Sequence, residues 1–309
     1  MKDLIIIGGG PAGMSAAIYA ARQKMDYALI TKEFGGQMAK KEVAIENYPG
    51  MGCISALDLI AKFRDHLKLL AVPVVIGEAV KLEAISGGFF VKTEKETFEA
   101  RSVILATGSS PRMLNVSGEK EFIGRGVGYC ATCDGPLFAR RRVAVIGGGN
   151  SAFEAAVFLA KFASEIFILE RGPKVFADQT NTELVLSTGK VTVVTNAKVL
   201  RVEGKNFVSG LVYQDAENKE IALPVEGIFI KAGSEPASEF VGGLVELNER
   251  NEMKFDHLTH QTKTPGLFVA GDVSDVKFKQ IVVAAGEGAK AAMAANDYLG
   301  SLKSVTPRG

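Results

Sequence analysis

The stretch LIIIGGGPAGMSAAIYAARQ, residues 4–23, is the most informative segment of this chain about its fold. A run of apolar, mostly β-branched residues precedes Gly8-x-Gly10-x-x-Gly13, and an alanine-rich segment follows, which predicts a strand, a tight turn and a helix. Glycines at these spacings let the backbone turn sharply and approach a pyrophosphate group at the start of the helix. The stretch therefore predicts a unit that binds a dinucleotide.

A second stretch, RRVAVIGGGNSAFEAAVFLAKF at residues 141–162, repeats this arrangement with Gly147-x-Gly149-x-x-Ala152. One such motif is a weak indication, whereas two of them, each between a strand and a helix, are much stronger. Glycine-rich turns in some other α/β protein remain the alternative. We expect FAD at one turn and a nicotinamide dinucleotide at the other.

The rest of the chain fits two similar domains. Residues 56–71 carry apolar residues at helical spacing, and residues 72–106 have the pattern of short strands. Residues 264–273, TPGLFVAGDV, predict a buried strand, and a long alanine-rich helix follows. A strand and a helix this late in the chain indicate that it returns to complete the first domain.

We therefore predict an α/β fold with two Rossmann-like dinucleotide-binding domains, the second inserted in the first. The predicted boundaries are residues 1–113 and 243–309 for the FAD-binding domain and residues 114–242 for the NAD(P)H-binding domain.

Charge and hydropathy argue against several classes of partner. The chain has 36 Lys and Arg against 35 Asp and Glu, so no net field draws it toward nucleic acid or anionic lipid. The apolar run before the first glycines is far shorter than the ~20 residues of a membrane-spanning helix, and no small-residue cleavage site follows it. We expect a cytoplasmic protein without a nucleic-acid or membrane partner.

Two of the three cysteines lie close together in GYCATCDGPLF, residues 128–138. In the cytosol such a pair is more often catalytic or metal-binding than a structural crosslink. A structural zinc site needs four ligands, but no second cysteine pair exists, and His257 and His260 are distant in the sequence. We therefore predict no metal and a redox-active disulfide between Cys130 and Cys133. The third cysteine, in GMGCISALDL, is expected to be a small buried apolar residue near a helix start.

These motifs resemble those of the low-molecular-weight thioredoxin reductase family and, nearly as closely, the C-terminal part of the alkyl hydroperoxide reductase flavoprotein subunit. The resemblance covers essentially the whole chain. The matching signatures are GGGPAGMSAAIYAAR (8–22), GGQ (35–37), IENYPG (45–50), ATG (106–108), CATCDGPLF (130–138), VIGGGNSAFEAA (145–156), GLFVAGDV (266–273) and KQIVVAAGEGAKAA (279–292).

The resemblance implies a homodimer with tightly held FAD. It also implies that electrons pass from a nicotinamide through the flavin to the CxxC disulfide, and then to the disulfide of a thioredoxin-like or glutaredoxin-like protein. Because no thioredoxin-like segment precedes residue 1, we expect that protein to be a separate chain.

For FAD, the resemblance assigns Asp272 to the sugar chain of the flavin and Gln37 and Asn47 to its ring. Asn47 capping a turn in ENYPG remains the alternative. Reduced flavin is anionic, and the start of the helix near Gln280 would supply positive potential to it. The predicted FAD-binding residues are Gly8, Gly10, Pro11, Ala12, Gly13, Gly36, Gln37, Asn47, Ala106, Thr107, Gly108, Gly271, Asp272, Lys279, Gln280 and Ile281.

For the dithiol, the resemblance assigns Cys133 to the flavin and Cys130 to attack on the partner's disulfide. Asp134 is then the catalytic acid that protonates the departing thiolate. A helix N-cap or a turn role for Asp134 is the alternative, since both are common for aspartate.

The expected donor is NADH. NADPH-using members of the family carry H-R-R-x-x-x-R where this chain has ERGPKVF, so that Arg171 matches but Gly172 and Phe176 replace arginines. Glu170 lies 23 residues after Gly147, close to where an acidic residue binds the ribose 2′-hydroxyl of NAD. The predicted NAD(P)H-binding residues are Gly147, Gly149, Asn150, Ser151, Ala152, Glu170 and Arg171.

Several functions stay open at this point. The first is an NADH-dependent disulfide reductase, and the second is the same flavoenzyme supplied by ferredoxin or another donor. A reductase of a peroxiredoxin system and a non-catalytic redox sensor are the others. If the disulfide and the nicotinamide approach the same face of the flavin, the domains have to rotate between two states, as in the family that the sequence resembles, with expected hinges near residues 112–118 and 240–245.

Overall fold

The computed structural model describes residues 1–40 and 45–305, apart from the side chains of residues 40, 133 and 303–305. The strands are β1 (Lys2–Ile7), β2 (Tyr27–Thr31), β3 (Val74–Ile76), β4 (Ala79–Ile85), β5 (Gly88–Thr93), β6 (Thr97–Leu105), β7 (Ser109–Pro111), β8 (Val127–Gly128), β9 (Arg142–Ile146), β10 (Glu165–Leu169), β11 (Val191–Val194), β12 (Lys198–Gly204), β13 (Val208–Gln214), β14 (Glu220–Leu223), β15 (Gly227–Ile230), β16 (Ser234–Pro236) and β17 (Leu267–Val269). The α-helices are α1 (Pro11–Arg22), α2 (Ala56–Leu69), α3 (Ala131–Asp134), α4 (Asn150–Leu159), α5 (Gln179–Ser187) and α6 (Ile281–Val305). Short 3₁₀ helices span Gly36–Lys40, Gly135–Phe138 and Glu239–Leu244.

The first unit contains residues 1–39, 45–110 and 235–305. Its sheet has the order β3-β2-β1-β6-β5-β4. The first half of β6 pairs with β5 and its second half with the late strand β17. Strands β1, β2, β3, β6 and β17 are parallel, so their carboxyl ends lie at one edge of the sheet.

Both faces of this sheet are covered, as its sequence requires. Leu4 and Ile6 join one apolar cluster with the alanines of α1 and α6, whereas Ile5 and Ile7 join a second cluster on the other side. Successive side chains of a strand point to opposite faces, so a continuous apolar run such as LIII is what a strand buried on both faces needs.

The second unit contains residues 111–234. Its main sheet is parallel with the order β11-β10-β9-β15-β8, and β12, β13 and β14 form an antiparallel sheet beside it. Here too, Val143 and Val145 face one apolar cluster and Ala144 and Ile146 face another. The predicted α/β fold with two Rossmann-like parallel sheets is confirmed.

The chain passes between the units at Ser110/Pro111 and returns at Ser234/Glu235, before the predicted boundaries at 113/114 and 242/243. Strands β7 and β16, which contain these crossings, pair with each other. The expected hinge segment 240–245 instead packs in the core of the first unit, where Val241 and Val245 are 1% and 5% exposed. Burial of those two valines holds the segment in the first unit.

Predicted secondary structure was right for α2, for the strands within 72–106, for β17 and for α6. Helix α5 was not predicted, because its sequence QTNTELVLS shows weak apolar periodicity and its start depends on Asp178, whose carboxylate caps the helix. None of the helices within residues 1–40 and 45–305 is long and apolar enough to cross a membrane.

Candidate active site

The first glycine turn has two glycines that packing requires and one that it does not. Gly8 has φ +119°, and a Cβ there would lie 2.1 Å from the carbonyl oxygen of Ala106, while a Cβ at Gly13 would lie 1.8 Å from that of Gly8. Gly10 has an ordinary φ of −75°, and no atom of the described residues lies within 4 Å of a Cβ built on it. The protein therefore leaves open space at Gly10, where a pyrophosphate group would pass.

The start of α1 is suited to an anion. Gly10 is its N-cap and Pro11 its first residue, so no side chain is available to cap the first turn. In contrast, the Ser55 hydroxyl accepts the Asp58 N–H at the start of α2. Backbone N–H groups at an uncapped helix start are donors for a phosphate. The 3₁₀ helix adds Gly36, whose Cβ would lie 3.6 Å from the Gly10 Cα.

The other predicted FAD segments meet at the same edge of the sheet. Ala106, Thr107 and Gly108 follow β6, and Gly271 and Asp272 follow β17 just after Ala270. A Cβ at Gly271, which has φ +78°, would lie 2.9 Å from that of Ala12 in α1. Ligands of doubly wound α/β folds bind outside the carboxyl ends of the strands, which is where these segments lie.

A buried acidic group supports this edge and was not predicted. The Glu287 side chain, on α6, accepts the Gly271 N–H at 2.8 Å, and the residue is 8% exposed. Burial raises the pKa of Glu287 and also that of Asp272, and Lys279 opposes both shifts. A glutamate inside the alanine-rich segment VVAAGEGAKAA was the available sequence signal, since such a helix face packs on the protein interior.

Lys279 stabilises the backbone of the same loop. Its ammonium group donates to the carbonyl oxygens of Asp272 and Ser274 and forms an ion pair with Glu252 at 3.1 Å. These contacts hold the backbone of the loop that carries Asp272. Lys279 therefore acts on the site by fixing this backbone.

The polar residues predicted for the flavin ring are hydrogen-bonded to distant parts of the chain. The Asn47 amide donates to Gln280 Oε1 at 3.1 Å, directly before α6 begins at Ile281. The Gln37 amide donates to the carbonyl oxygen of Ser109 at 2.8 Å. The open cradle at Gly10, the uncapped start of α1 and the partly buried Asp272 together fit the pyrophosphate and sugar chain of FAD.

The second glycine turn repeats the first. Gly147 has φ +131°, and its Cβ would lie 2.2 Å from the carbonyl oxygen of Lys231. Gly149 has φ −95° and forms the N-cap of α4, and nothing in the described chain lies within 4 Å of a Cβ there. Asn150 Oδ1 accepts the Asp178 N–H at 2.8 Å, and Ser151 is exposed. This cradle fits the pyrophosphate of a second dinucleotide.

Glu170 follows β10 directly and points at the second turn. Its Oε1 accepts the Gly172 N–H at 2.6 Å, and a Cβ at Gly148 would lie 2.6 Å from its Oε2. The N–H groups of Phe176 and Ala177 donate to the Gly148 carbonyl at 2.6 and 3.0 Å, which folds the loop after β10 over the turn. The carboxylate is thereby held beside the glycine turn, and Arg171 is exposed next to it.

Cys130 lies in the same unit and at the same edge of the sheet as this turn. It comes shortly after β8, which is separated from β9 by β15, so the two strands lie about 10 Å apart at the usual strand spacing. Cys130 is disulfide-bonded. The Cys133 side chain lies outside the described atoms, so its pairing with Cys130 stays a prediction.

Asp134 ends α3, and its N–H donates to the Cys130 carbonyl at 3.2 Å. It also precedes the 3₁₀ helix at Gly135–Phe138, yet within the described part of the chain its side chain makes no capping hydrogen bond. A Cβ at Gly128 would lie 2.7 Å from Asp134 Oδ2. The Asp134 carboxylate therefore lies against β8 at Gly128, which is two residues before Cys130 in the sequence. The alternative role of Asp134 as a helix cap has no support.

The prediction for the third cysteine was wrong. Cys53 is free and exposed, not buried. It lies in a turn with exposed Met51 and Gly52, two residues before the Ser55 cap of α2, and the apolar face of that helix begins only at Ala56.

The chain is similar to several known oxidoreductases. The family model of the pyridine nucleotide-disulphide oxidoreductases matches residues 2–288. An alkyl hydroperoxide reductase subunit of Pseudomonas putida is 42% identical over 305 residues, covering 96% of this chain and 58% of that protein. A protein named NADH dehydrogenase from Bacillus subtilis is 38% identical over 299 residues, covering 96% and 58% respectively. The chain thus spans 58% of the length of these two relatives.

Among solved structures, thioredoxin reductase from Lactococcus lactis superposes with a TM-score of 0.93 at 34% identity, covering 97% of this chain and 100% of that one. The resemblance read from the motifs is confirmed. With a family model matching nearly the whole chain and two nucleotide cradles that fit it, the protein belongs to the pyridine nucleotide-disulphide oxidoreductase family.

Proposed function

We propose that this protein is an FAD-dependent disulfide reductase that uses NADH and acts on a thioredoxin-like or glutaredoxin-like protein. The observation that carries the proposal is the common position of Cys130 and the Gly147 turn at one edge of the sheet of the second unit. In this proposal the first unit holds FAD, and the second carries the nicotinamide and the dithiol. The protein works as a cytoplasmic homodimer.

Bound FAD supplies a two-electron acceptor that takes hydride and returns both electrons to a disulfide. The remaining steps belong to the chain itself. The Cys130 thiolate attacks the partner's disulfide and forms a mixed disulfide, and one partner sulfur leaves. Cys133 then attacks Cys130, so the Cys130–Cys133 disulfide is restored and the partner departs with two thiols. Asp134, beside the dithiol, delivers a proton to a departing thiolate.

Glu170 is the residue that sets the donor. Its carboxylate would accept the ribose hydroxyls of NADH, whereas the 2′-phosphate of NADPH would bring like charge to the same place. At ~4 Å and an effective dielectric constant near 20, that repulsion is about 4 kcal/mol before screening. Arg171 and Lys174 offset part of it, and we expect a net preference of roughly 1.5 to 3 kcal/mol, or about 10- to 150-fold.

Gly172 supports the same assignment. It occupies one of the arginine positions of the NADPH signature, and a Cβ there would lie 3.1 Å from Glu170 Oε1. Its N–H also fixes that oxygen. A Cβ at position 172 would require the carboxylate to shift slightly from this position, so the glycine lets Glu170 keep the position proposed for contact with the unphosphorylated ribose.

The deciding experiment is anaerobic bleaching of the flavin by NADH and by NADPH, followed by kcat/KM for each donor. We expect NADH to bleach the flavin and to have the higher kcat/KM. Glu170→Ala should reduce the difference between the two donors mainly by raising kcat/KM for NADPH. Glu217→Ala, at an exposed turn of the same unit, is the control and should change neither value. Equal use of both donors, or a preference for NADPH, would overturn the donor assignment.

If neither nucleotide bleaches a flavin that dithionite reduces normally, the ferredoxin-type alternative replaces the proposal. Partner class is tested by supplying a thioredoxin-like protein, or a glutaredoxin-like carrier together with a peroxiredoxin, to the reduced enzyme. Turnover that requires the peroxiredoxin would favour the second system. Flavin reduction without any transfer to Cys130 would point to a redox sensor.

A further inference from the structure

Glu119 is a fully buried carboxylate in the second unit that neither the motifs nor the proposed chemistry uses. It is 0% exposed. Its Oε1 accepts the Leu114 N–H at 2.9 Å and the Tyr129 O–H at 2.8 Å, and its Oε2 accepts the Asn115 N–H at 2.6 Å. A buried carboxylate is costly unless donors satisfy it, and here the surrounding groups donate to both oxygens.

These donors come from two segments with different roles. Leu114 and Asn115 follow closely after Pro111, where the chain enters the second unit. Asn115 has φ +57°, a left-handed conformation that asparagine adopts more readily than most non-glycine residues, and its N–H donates to Glu119 from there. Tyr129 directly precedes Cys130. One carboxylate therefore ties the entering chain to the residue next to the redox cysteine.

The Tyr129 hydroxyl is suited to be a permanent donor. Burial raises the pKa of Tyr129, and the neighbouring Glu119 raises it further. The phenol therefore keeps its proton over the range in which a disulfide reductase works, so the bond to Glu119 persists while the cysteines change state.

We propose that Glu119 is a positioning residue for Cys130, acting through Tyr129. By fixing the tyrosine side chain at one end and the Leu114–Asn115 backbone at the other, it holds the peptide at Cys130 in one place when the disulfide opens. The Cys130 sulfur then keeps one orientation for attack on a disulfide. Glu119 also fixes its position relative to the Leu114–Asn115 segment, through which the chain enters the unit. The inference rests on the proposed function only in taking Cys130 as the redox cysteine.

The test measures Cys130 alone, in full-length protein carrying Cys53→Ser and Cys133→Ser so that it is the single remaining thiol. The rate of alkylation by iodoacetamide is followed from pH 6 to 9 alongside the thermal unfolding midpoint. Tyr129→Phe removes one hydroxyl and should raise the rate roughly two- to tenfold, the range of one hydrogen bond's net contribution. Glu119→Gln should raise it further, because an amide cannot accept from donors on both of its heavy atoms.

Matched controls are available in the same unit. Tyr213 is also a partly buried tyrosine on the apolar cluster that contains Tyr129, and Glu121 is an exposed glutamate two residues after Glu119. Tyr213→Phe and Glu121→Gln should leave the alkylation rate within about twofold of the parent. Should Glu119→Gln fail to fold, Tyr129→Phe still decides the question.

Unchanged alkylation in Tyr129→Phe, even with a lowered unfolding midpoint, would reduce Glu119 to a stabilising group and overturn the proposal. The assay uses neither a nicotinamide nor a partner disulfide. Its outcome is therefore independent of the donor assignment, and failure of the proposed reductase activity would not be mistaken for failure of this inference.

Discussion

The two glycine turns are built alike where phosphate would bind and differently where selectivity is needed. In both, the first glycine has a positive φ and lies against a carbonyl oxygen of a neighbouring strand end, that of Ala106 or of Lys231. In both, Gly10 or Gly149 faces open space within the described structure. The shared part is the geometry that a pyrophosphate requires, whichever nucleotide carries it.

The differences lie at the end of the next strand and at the third position of the motif. In the first turn, Gly9 faces the Thr31 hydroxyl and the Glu33 carbonyl. In the second turn, the equivalent Gly148 faces the Glu170 carboxylate. Gly13 has no room for a methyl group, whereas Ala152 holds one in a fully buried site. A dinucleotide motif therefore specifies the phosphate site, and its surroundings specify the ribose and the packing of the helix.

Among the variants that test the difference between the two turns, Gly13→Ala is expected to have the greatest effect on stability. Its methyl group would lie 1.8 Å from the Gly8 carbonyl oxygen, so helix or turn must move. We expect a loss of about 3 kcal/mol or more in the free energy of unfolding of the first unit. Urea unfolding measures it, and a loss below about 1 kcal/mol would mean that the first turn is as roomy as the second.

A second pair of variants separates the cofactors. Gly10→Ala and Gly149→Ala meet open space, so each should change the stability of the cofactor-free protein by less than about 0.5 kcal/mol. Gly10→Ala should weaken FAD binding, and Gly149→Ala should weaken NADH binding, each by tenfold or more, or ~1.4 kcal/mol and above. Titrations of both ligands on both variants check this. A variant that weakens both ligands equally would contradict the assignment of one nucleotide to each turn.

The reverse substitution in the second turn, Ala152→Gly, should have a smaller effect. Ala152 is a buried position near the start of α4, and glycine there costs about 1 kcal/mol in helix propensity together with the lost methyl contact. The measurement is again urea unfolding, with NADH binding as the second readout. A loss as large as that of Gly13→Ala would show that the methyl group at Ala152 carries the packing of the second turn.

The smallest effect is expected from Glu287, the buried acid that accepts the Gly271 N–H at the first site. Burial raises the pKa of Glu287 above its ordinary 4.5, so the folded chain binds more protons than the unfolded chain above that value. The free energy of unfolding therefore falls as pH rises through the interval between the unfolded and folded pKa values. Glu287→Gln removes this dependence and still accepts the Gly271 N–H. In FAD-free protein, the unfolding midpoint of Glu287→Gln should therefore increase relative to that of the wild type as the pH is raised from 5 to 7.5.

The exposed Glu249→Gln is the control for that experiment and should follow the wild type at every pH. Parallel pH curves for wild type and Glu287→Gln would mean that Glu287 titrates in the folded protein as it does in the unfolded chain, and that burial does not govern it.

Much of the fold and the site could be read from local sequence. The glycine turns, the strand before Gly271 and the long helix after Gln280 were predicted because strand and helix periodicity and glycine conformations are properties of short segments. Glu170 was found by its distance from Gly147. Helix α5 was missed because its apolar pattern is weak, and Cys53 was misplaced because a lone cysteine carries no signal for or against burial.

Local sequence patterns predicted two nucleotide turns, a cysteine pair between them and a chain that returns to its first domain. Each of these follows from local steric limits, since positive φ angles call for glycine and buried strands call for continuous apolar runs. Long-range packing sets where the chain crosses between the units and which carboxylates are buried. Glu119 looks like a surface residue in the sequence, and it is distinguished only because two backbone N–H groups and a tyrosine hydroxyl converge on it in the fold. Burial depends on what the rest of the chain packs against a residue, and short-range patterns do not contain that information.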